Sequence, residues 1–374
     1  VVQALVAGGA DLDRVPTAGA STPLYVAALK DYEAIVETLV AAGADMSKTT
    51  QFCEGTPLSV SSQFGGIKVV RALLAAGADV NESRTDNGAT PLHLACQNNF
   101  SSVAQALLAA GAHVDQATTD TFGSTALYMA SSRGHLDAAK TLLDAGAAVN
   151  LGRTYDGASP LFAAAEQGRA EVVRLLESHG GDVNQLQTQH GSSPLYIASW
   201  RGHLEATKFL VKAGADLDET VTQATPLWWA CWRGHLGMVR VFLDAKADVD
   251  KPKTNTGAPP LIAAVWASHP AIVKALLVAG ADVNKTKESD GMTPLFVAAM
   301  RGNLEVVQLL CAGGAHVNQA TTIGGATPLW VACYRGFTEI AQELVAAGAT
   351  PTWIDGPMAH YSWRSRQRGA GKPK

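Results

Sequence analysis

An all-α solenoid, built from stacked helix-turn-helix units with a finger loop between them, follows from three features of this 374-residue chain. The tripeptide TPL, or a close variant, recurs ten times, starting at Thr22, Thr56, Thr90, Thr125, Ser159, Ser193, Thr225, Pro259, Thr293 and Thr327, and seven of the nine steps are 34 residues. A fixed period of this size marks units that cannot bury an apolar face alone and must stack on their neighbours. After each tripeptide the apolar residues fall at helical spacing in two short runs, and a polar stretch rich in turn residues precedes the next copy.

The chain opens on Val1 to Ala10, VVQALVAGGA, which copies the second half of a unit such as Val69 to Ala78. An opening in mid-repeat leads us to expect more of the natural protein upstream, with further repeats or a catalytic domain. The copy from Asn81 to Val114 shows the elements in order. Its first stretch carries Asp86, Asn87 and Gly88, turn chemistry that predicts a hairpin-like finger. Thr90 is placed to cap a helix, and Pro91 suits the first helical position, where its missing N–H leaves nothing unpaired. Leu92, Ala95 and Cys96 then share one side of a short inner helix. A second, outer helix over about Ser102 to Ala110 sets Val103, Ala106 and Leu107 at helical spacing and stops at Gly111, a residue suited to the left-handed C-cap. The expected organisation is one elongated repeat domain over residues 1–355, with a partial repeat at 1–13 and ten repeats following. Beyond it lies a basic tail, 356–374, expected to be disordered.

Three departures carry a physical cost. Glu177 takes an outer-helix position held by Leu74, Leu108 and Leu143, where a lone carboxylate must reach solvent. Lys246 replaces the terminal glycine of other repeats, at about 1 kcal/mol if it stays left-handed. The same repeat has a finger two residues shorter and Gly237 inside its outer helix. Repeats five and seven are therefore expected to open locally.

TPLHLA at Thr90, the GHLE-type turns at His135, His203 and His235, and GADVN at Gly77 to Asn81 resemble the ankyrin repeat, over about residues 1–350. The resemblance implies an ankyrin-repeat solenoid of L-shaped units in a curved stack, with partner binding along the concave face formed by inner helices and fingers. The usual ankyrin period is one residue shorter, and the extra residue here falls in the finger. The resemblance also assigns the recurrent His135, His203, His235 and His269 to the turn between helices. It likens Asn81, Asn150, Asn184, Asn284 and Asn318 to asparagines that a hydroxylase modifies, beside a plainer role in closing the turn into the finger.

Composition narrows the function. No apolar run reaches the ~18 residues that a membrane-spanning helix needs. Five of the 29 Lys and Arg lie in the tail (Arg364, Arg366, Arg368, Lys372, Lys374), which has no carboxylate, leaving residues 1–355 at −9. An acidic body without a basic stripe is a poor match for nucleic acid. Cys53, Cys96, Cys231, Cys311 and Cys333 show no metal-ligand spacing; Cys96, Cys231 and Cys333 share one repeat position and read as small buried thiols in a reducing, intracellular setting. Ten histidines appear without a carboxylate pair, a nucleophile order or a phosphate loop, so no catalytic residue, metal or cofactor is expected.

Only positions that differ between copies can encode a partner. The last turn of the inner helix reads Leu29, Gln63, Gln97, Ser132, Glu166, then Trp200, Trp232, Trp266, Met300 and Tyr334: polarity gives way to large apolar groups. The preceding turn of the same five repeats carries Tyr196, Trp228, Ile262, Phe296 and Trp330. Arg201, Arg233, Arg301 and Arg335 follow directly, while Trp229 is expected to face inward. Helices pack about 8–10 Å apart, so five rungs span roughly 40 Å, the reach of about twelve extended residues at ~3.3 Å each. Trp, Tyr and Arg are the side chains enriched at binding hot spots. The expected site is therefore a groove made of Tyr196, Trp200, Arg201, Trp228, Trp232, Arg233, Trp266, Phe296, Met300, Arg301, Trp330, Tyr334 and Arg335. It would grip an extended, partly apolar and acidic segment of another protein, as a monomeric, non-catalytic scaffold. Two other readings stand beside it: the rings pack along the stack with Arg stems covering them, or the chain is the substrate-recruiting arm of a larger kinase or ubiquitin ligase.

Overall fold

Nine of the ten inner helices begin where a hydroxyl replaces a missing backbone partner. Residues 2–15, 21–48, 55–219 and 223–351 are described by a computed structural model; the basic tail, Trp353 and Cys53 lie outside them. Among the described residues the chain forms 21 helices, a leading Val2–Ala7 followed by ten inner and outer pairs. They belong to two compact units, Val1–Asp216 and Leu217–Lys374.

The inner helices start as the sequence predicts. Thr90 is extended, its hydroxyl accepts from the His93 N–H, and Pro91 opens helix Pro91–Gln97. The same cap recurs at Thr22, Thr56, Thr125, Ser159, Ser193, Thr225, Thr293 and Thr327. Pro259 brings no side-chain hydroxyl, and helix Pro260–Trp266 has no such bond.

The outer helices end in the left-handed residue anticipated at Gly111 (φ 91°), although that helix runs Ser101–Ala109, one residue earlier than expected. Lys246 holds the same conformation at φ 65° and donates its N–H to the Leu243 carbonyl. A Cβ is strained there. Lys246→Gly should therefore raise the stability of the unit by about 1 kcal/mol, read from its urea midpoint. An unchanged midpoint would show that the strain is already relaxed.

Glu177 corrects the expectation for repeat five. The residue is exposed, because its position lies at the solvent edge of helix Ala170–Ser178, while Val172, Val173 and Leu176 fill the buried side. The carboxylate keeps its water, so the expected weak point at repeat five loses its cause. The shared cysteine position divides as well. Cys96 and Cys231 are fully buried, but Cys333 is exposed, since no described repeat follows to cover the last inner helix.

Neighbouring repeats are tied by the GADVN asparagines, whose role proves to lie between repeats. Asn81 Nδ2 donates to the Gly111 carbonyl at 3.2 Å, while its Oδ1 accepts from the His113 N–H at 2.8 Å. Asn150, Asn284 and Asn318 repeat both bonds to the repeat that follows each. Where the residue is Asp, as at Asp115 and Asp218, the acceptor half survives. Fingers are also joined through the backbone: the Thr119 N–H donates to Asn87 O, and the Thr322 N–H to Asp290 O.

Candidate functional site

The inner helices present two kinds of position, set one turn apart. At the third helical residue the side chain turns toward the finger of the next repeat. His93 does so through Nε2, which donates to the Ser124 carbonyl at 3.1 Å, and Trp228 through Nε1, which donates to the Ala258 carbonyl at 3.0 Å. Trp228 is only 6% exposed, and Phe296 and Met300 are buried too. Those three, expected as contact residues, are corrected to interior supports, because each is covered by its neighbours in the stack. Tyr196 and Trp330 occupy the third position but stay half-buried.

The second kind of position is the last turn of the helix, where the expected ladder, Met300 apart, reaches solvent. Trp232 is 37% and Tyr334 71% exposed, and Trp200 and Trp266 are half-buried. Arg201, Arg233, Arg301 and Arg335 are all exposed. The rings are braced by side chains of their own or the next repeat. Trp232 stacks on Trp228 with centroids 5.6 Å apart and planes at 8°, and Tyr334 on Trp330 at 5.1 Å and 7°. Arg301 lies 6.0 Å from the Trp266 ring centre and Arg201 4.9 Å from that of Trp200. Arg201 also pairs with Glu166 at 2.9 Å. Intramolecular packing and an outward face thus coexist at the same rungs.

Among the described inner helices only Pro160–Glu166 carries a carboxylate. The inner helices Pro226–Arg233, Pro260–Trp266, Pro294–Arg301 and Pro328–Arg335 carry three arginines and no carboxylate. The chain as a whole has an acidic balance of −4.

Two features escaped the sequence reading. Phe122 and Tyr155 meet edge to face at 5.9 Å on adjacent fingers, with the Arg153 guanidinium 5.7 Å from the Phe122 ring and 5.1 Å from the Tyr128 ring. In the other unit, Lys253 Nζ sits 4.8 Å from the Trp228 ring and 5.5 Å from the Trp229 ring, two indoles nearly perpendicular to each other. Aligning the base of each finger would have picked out the cation: Arg84, Arg153, Lys253 and Lys287 occupy one repeat position.

The recurrent histidines are structural. His135 and His203 each place Nε2 against a carbonyl of the preceding repeat, Gln97 O at 3.0 Å and Glu166 O at 2.9 Å. Among the described residues no group of three or more His, Cys, Asp or Glu could hold a metal ion. His93 is the most deeply buried: its Nδ1 accepts from the Thr90 N–H, which with Nε2 donating leaves a neutral ring. Burial above all pushes its pKa down, against the raising effect of the Ser124 carbonyl. His135 and His235 are lowered for the same leading reason. The unfolded chain then binds protons more readily than the folded one, so this stability is complete above an unfolded pKa of about 6.5 and declines as pH falls toward the folded pKa values. The slope reaches at most ~1.4 kcal/mol per pH unit for one group. Urea midpoints at pH 7.5 and 5.5 should show a loss that His93→Gln reduces; an equal loss in that variant would remove His93 as the source.

The family model for ankyrin repeats, written as three copies, matches overlapping windows 24–118, 58–153, 112–187, 147–221, 174–255, 214–287 and 261–355. Among solved structures, the ankyrin repeat domain of human ASB11 is 29% identical with a TM-score of 0.53, covering 61% of this chain and all of that one. No curated protein sequence matches.

Proposed function

The chain belongs to the ankyrin-repeat family, and from that premise we propose that it is a non-catalytic binding module for an extended protein segment of apolar and acidic character. Ankyrin repeats are in general protein-interaction modules; the partner's character is the proposal. It rests on one observation: the exposed rungs Trp232 and Tyr334 lie on inner helices that bear Arg233 and Arg335 and no carboxylate, and the half-buried Trp266 has Arg301 of the next inner helix beside its ring. An acidic, apolar segment matches both features, since rings supply contact area at low entropic cost and arginines pair with carboxylates in fork geometry. Trp200 and Arg201 offer a similar rung within Val1–Asp216. Bracing by Trp228 and Trp330 favours binding, because rings already fixed lose little rotamer freedom when a partner arrives. The repeat domain is assigned to residues 1–355 and the tail to 356–374, in an intracellular setting that leaves Cys96 and Cys231 reduced.

The test compares proteins captured from native lysate by the wild-type chain and by a Trp200→Gln, Trp232→Gln, Trp266→Gln variant of equal circular dichroism. Each hot-spot truncation weakens binding by about 2 kcal/mol or more, roughly thirtyfold, so partners of the strip should vanish from the variant. An unchanged partner set would assign the rings to packing alone.

A further inference from the structure

The finger bases hold a regular device with one exception. Arg84 pairs with Asp86 at 2.6 Å, Arg153 with Asp156 at 2.5 Å, and Lys287 with Asp290 at 2.5 Å. In the last two the carboxylate comes three residues after the cation. Lys253 has Thr256 at that place. The threonine keeps the backbone half of the role, its hydroxyl accepting from the Ala258 N–H as Asp156 and Asp290 accept from Ala158 and Met292. It cannot supply the charge. Lys253 forms no ion pair among the described residues, and its ammonium rests on the faces of Trp228 and Trp229. Burial lowers its pKa, with no carboxylate acting to raise it.

A second polar donor lies in the same corner. Trp228 satisfies its Nε1–H at the Ala258 carbonyl, but the buried Nε1–H of Trp229 has no partner among the described residues. An unmet buried donor is unfavourable, and so is a cation taken partly out of water without a counter-charge. One oxyanion would relieve both. The exposed Trp232, stacked on Trp228, lies beside the corner.

We propose that Lys253 and the Trp229 Nε1–H form the specificity site of the binding strip, receiving a glutamate or aspartate carboxylate of the partner while an adjacent apolar side chain of the same segment lies on Trp232. This inference rests on the proposed function and adds to it a fixed position for one acidic residue. It sets this corner apart from the fingers of Arg153 and Lys287, whose cations are already neutralised.

The experiment uses the full chain and a capped five-residue peptide with a central glutamate between leucines, alongside its glutamine counterpart. The indole N–H resonance of Trp229, identified by its disappearance in Trp229→Phe, is followed by NMR during titration. The glutamate peptide should move that resonance saturably and bind at least tenfold more tightly than the glutamine peptide. Lys253→Met, which keeps the apolar stem, should abolish the difference. Thr256→Asp should abolish it too, by giving Lys253 the internal partner seen at Asp156 and Asp290, while leaving the fold intact. Equal responses to the two peptides, no response at millimolar peptide, or a glutamate preference that survives Thr256→Asp would each overturn the proposal. If lysate partners are lost with the three tryptophans but kept by Lys253→Met and Thr256→Asp, the binding strip stands and its acidic anchor falls.

Discussion

Phe242→Ala should lower the stability of the Leu217–Lys374 unit by about 3–5 kcal/mol, a large part of what a small domain possesses. Phe242 is fully buried and is among the largest such side chains in the chain. It stands in helix Leu236–Asp244 where other outer helices place Leu276 or Leu310. Removing the ring forfeits its transfer energy and leaves a cavity that neighbouring helices can close only partly. Because a repeat is supported by adjacent repeats, the loss should spread locally. Hydrogen exchange should quicken in Leu236–Asp244 and Pro270–Val278 before the rest of the unit. Phe242→Leu restores the residue used elsewhere and should cost less than about 1.5 kcal/mol. A loss below that figure for the alanine variant would mean that the stack collapses around the gap.

Gly234→Ala should cost about 2–4 kcal/mol, an unusual penalty for a single methyl group. Two causes act together. Gly234 ends its inner helix at φ 81°, where a Cβ costs about 1–2 kcal/mol. A Cβ built there would also stand 2.6 Å from Cε1 of His269 in the next repeat. Gly168 has the same relation to His203 at 2.5 Å, measured to Nδ1. His203 and His269 are thus packing plates seated on the glycine of the preceding repeat. Combining Gly234→Ala with His269→Ala should recover about 1–3 kcal/mol relative to the sum of the single changes, by removing the clash and leaving the strain. Strict additivity in urea unfolding would place the whole effect in the backbone.

The periodic parts of the protein were legible in the chain itself. TPL set the start of the inner helices because its hydroxyl and proline act within one turn, on local chemistry alone. The terminal glycines likewise marked the ends of the outer helices, and Lys246 took the conformation its alignment required. The open rungs Trp232 and Tyr334 were found from their place in the repeat. What lay beyond reach depended on which neighbouring repeat covers a position. Trp228 and Trp232 are both tryptophans in one helix, yet one is buried under the next finger while the other stays open. Cys96 and Cys333 share a position, and only the presence or absence of a following described repeat separates them.

Helix type, caps and period are consequences of interactions within a few residues, and the sequence by itself determined those. Burial, the bonds of the asparagines to the next repeat, and the juxtaposition of Lys253 with Trp229 join residues about 20 to 35 positions apart. They arise only when one repeat is laid against another, because exposure and unmet charge belong to a surface that no single repeat possesses. The tertiary structure alone decided them.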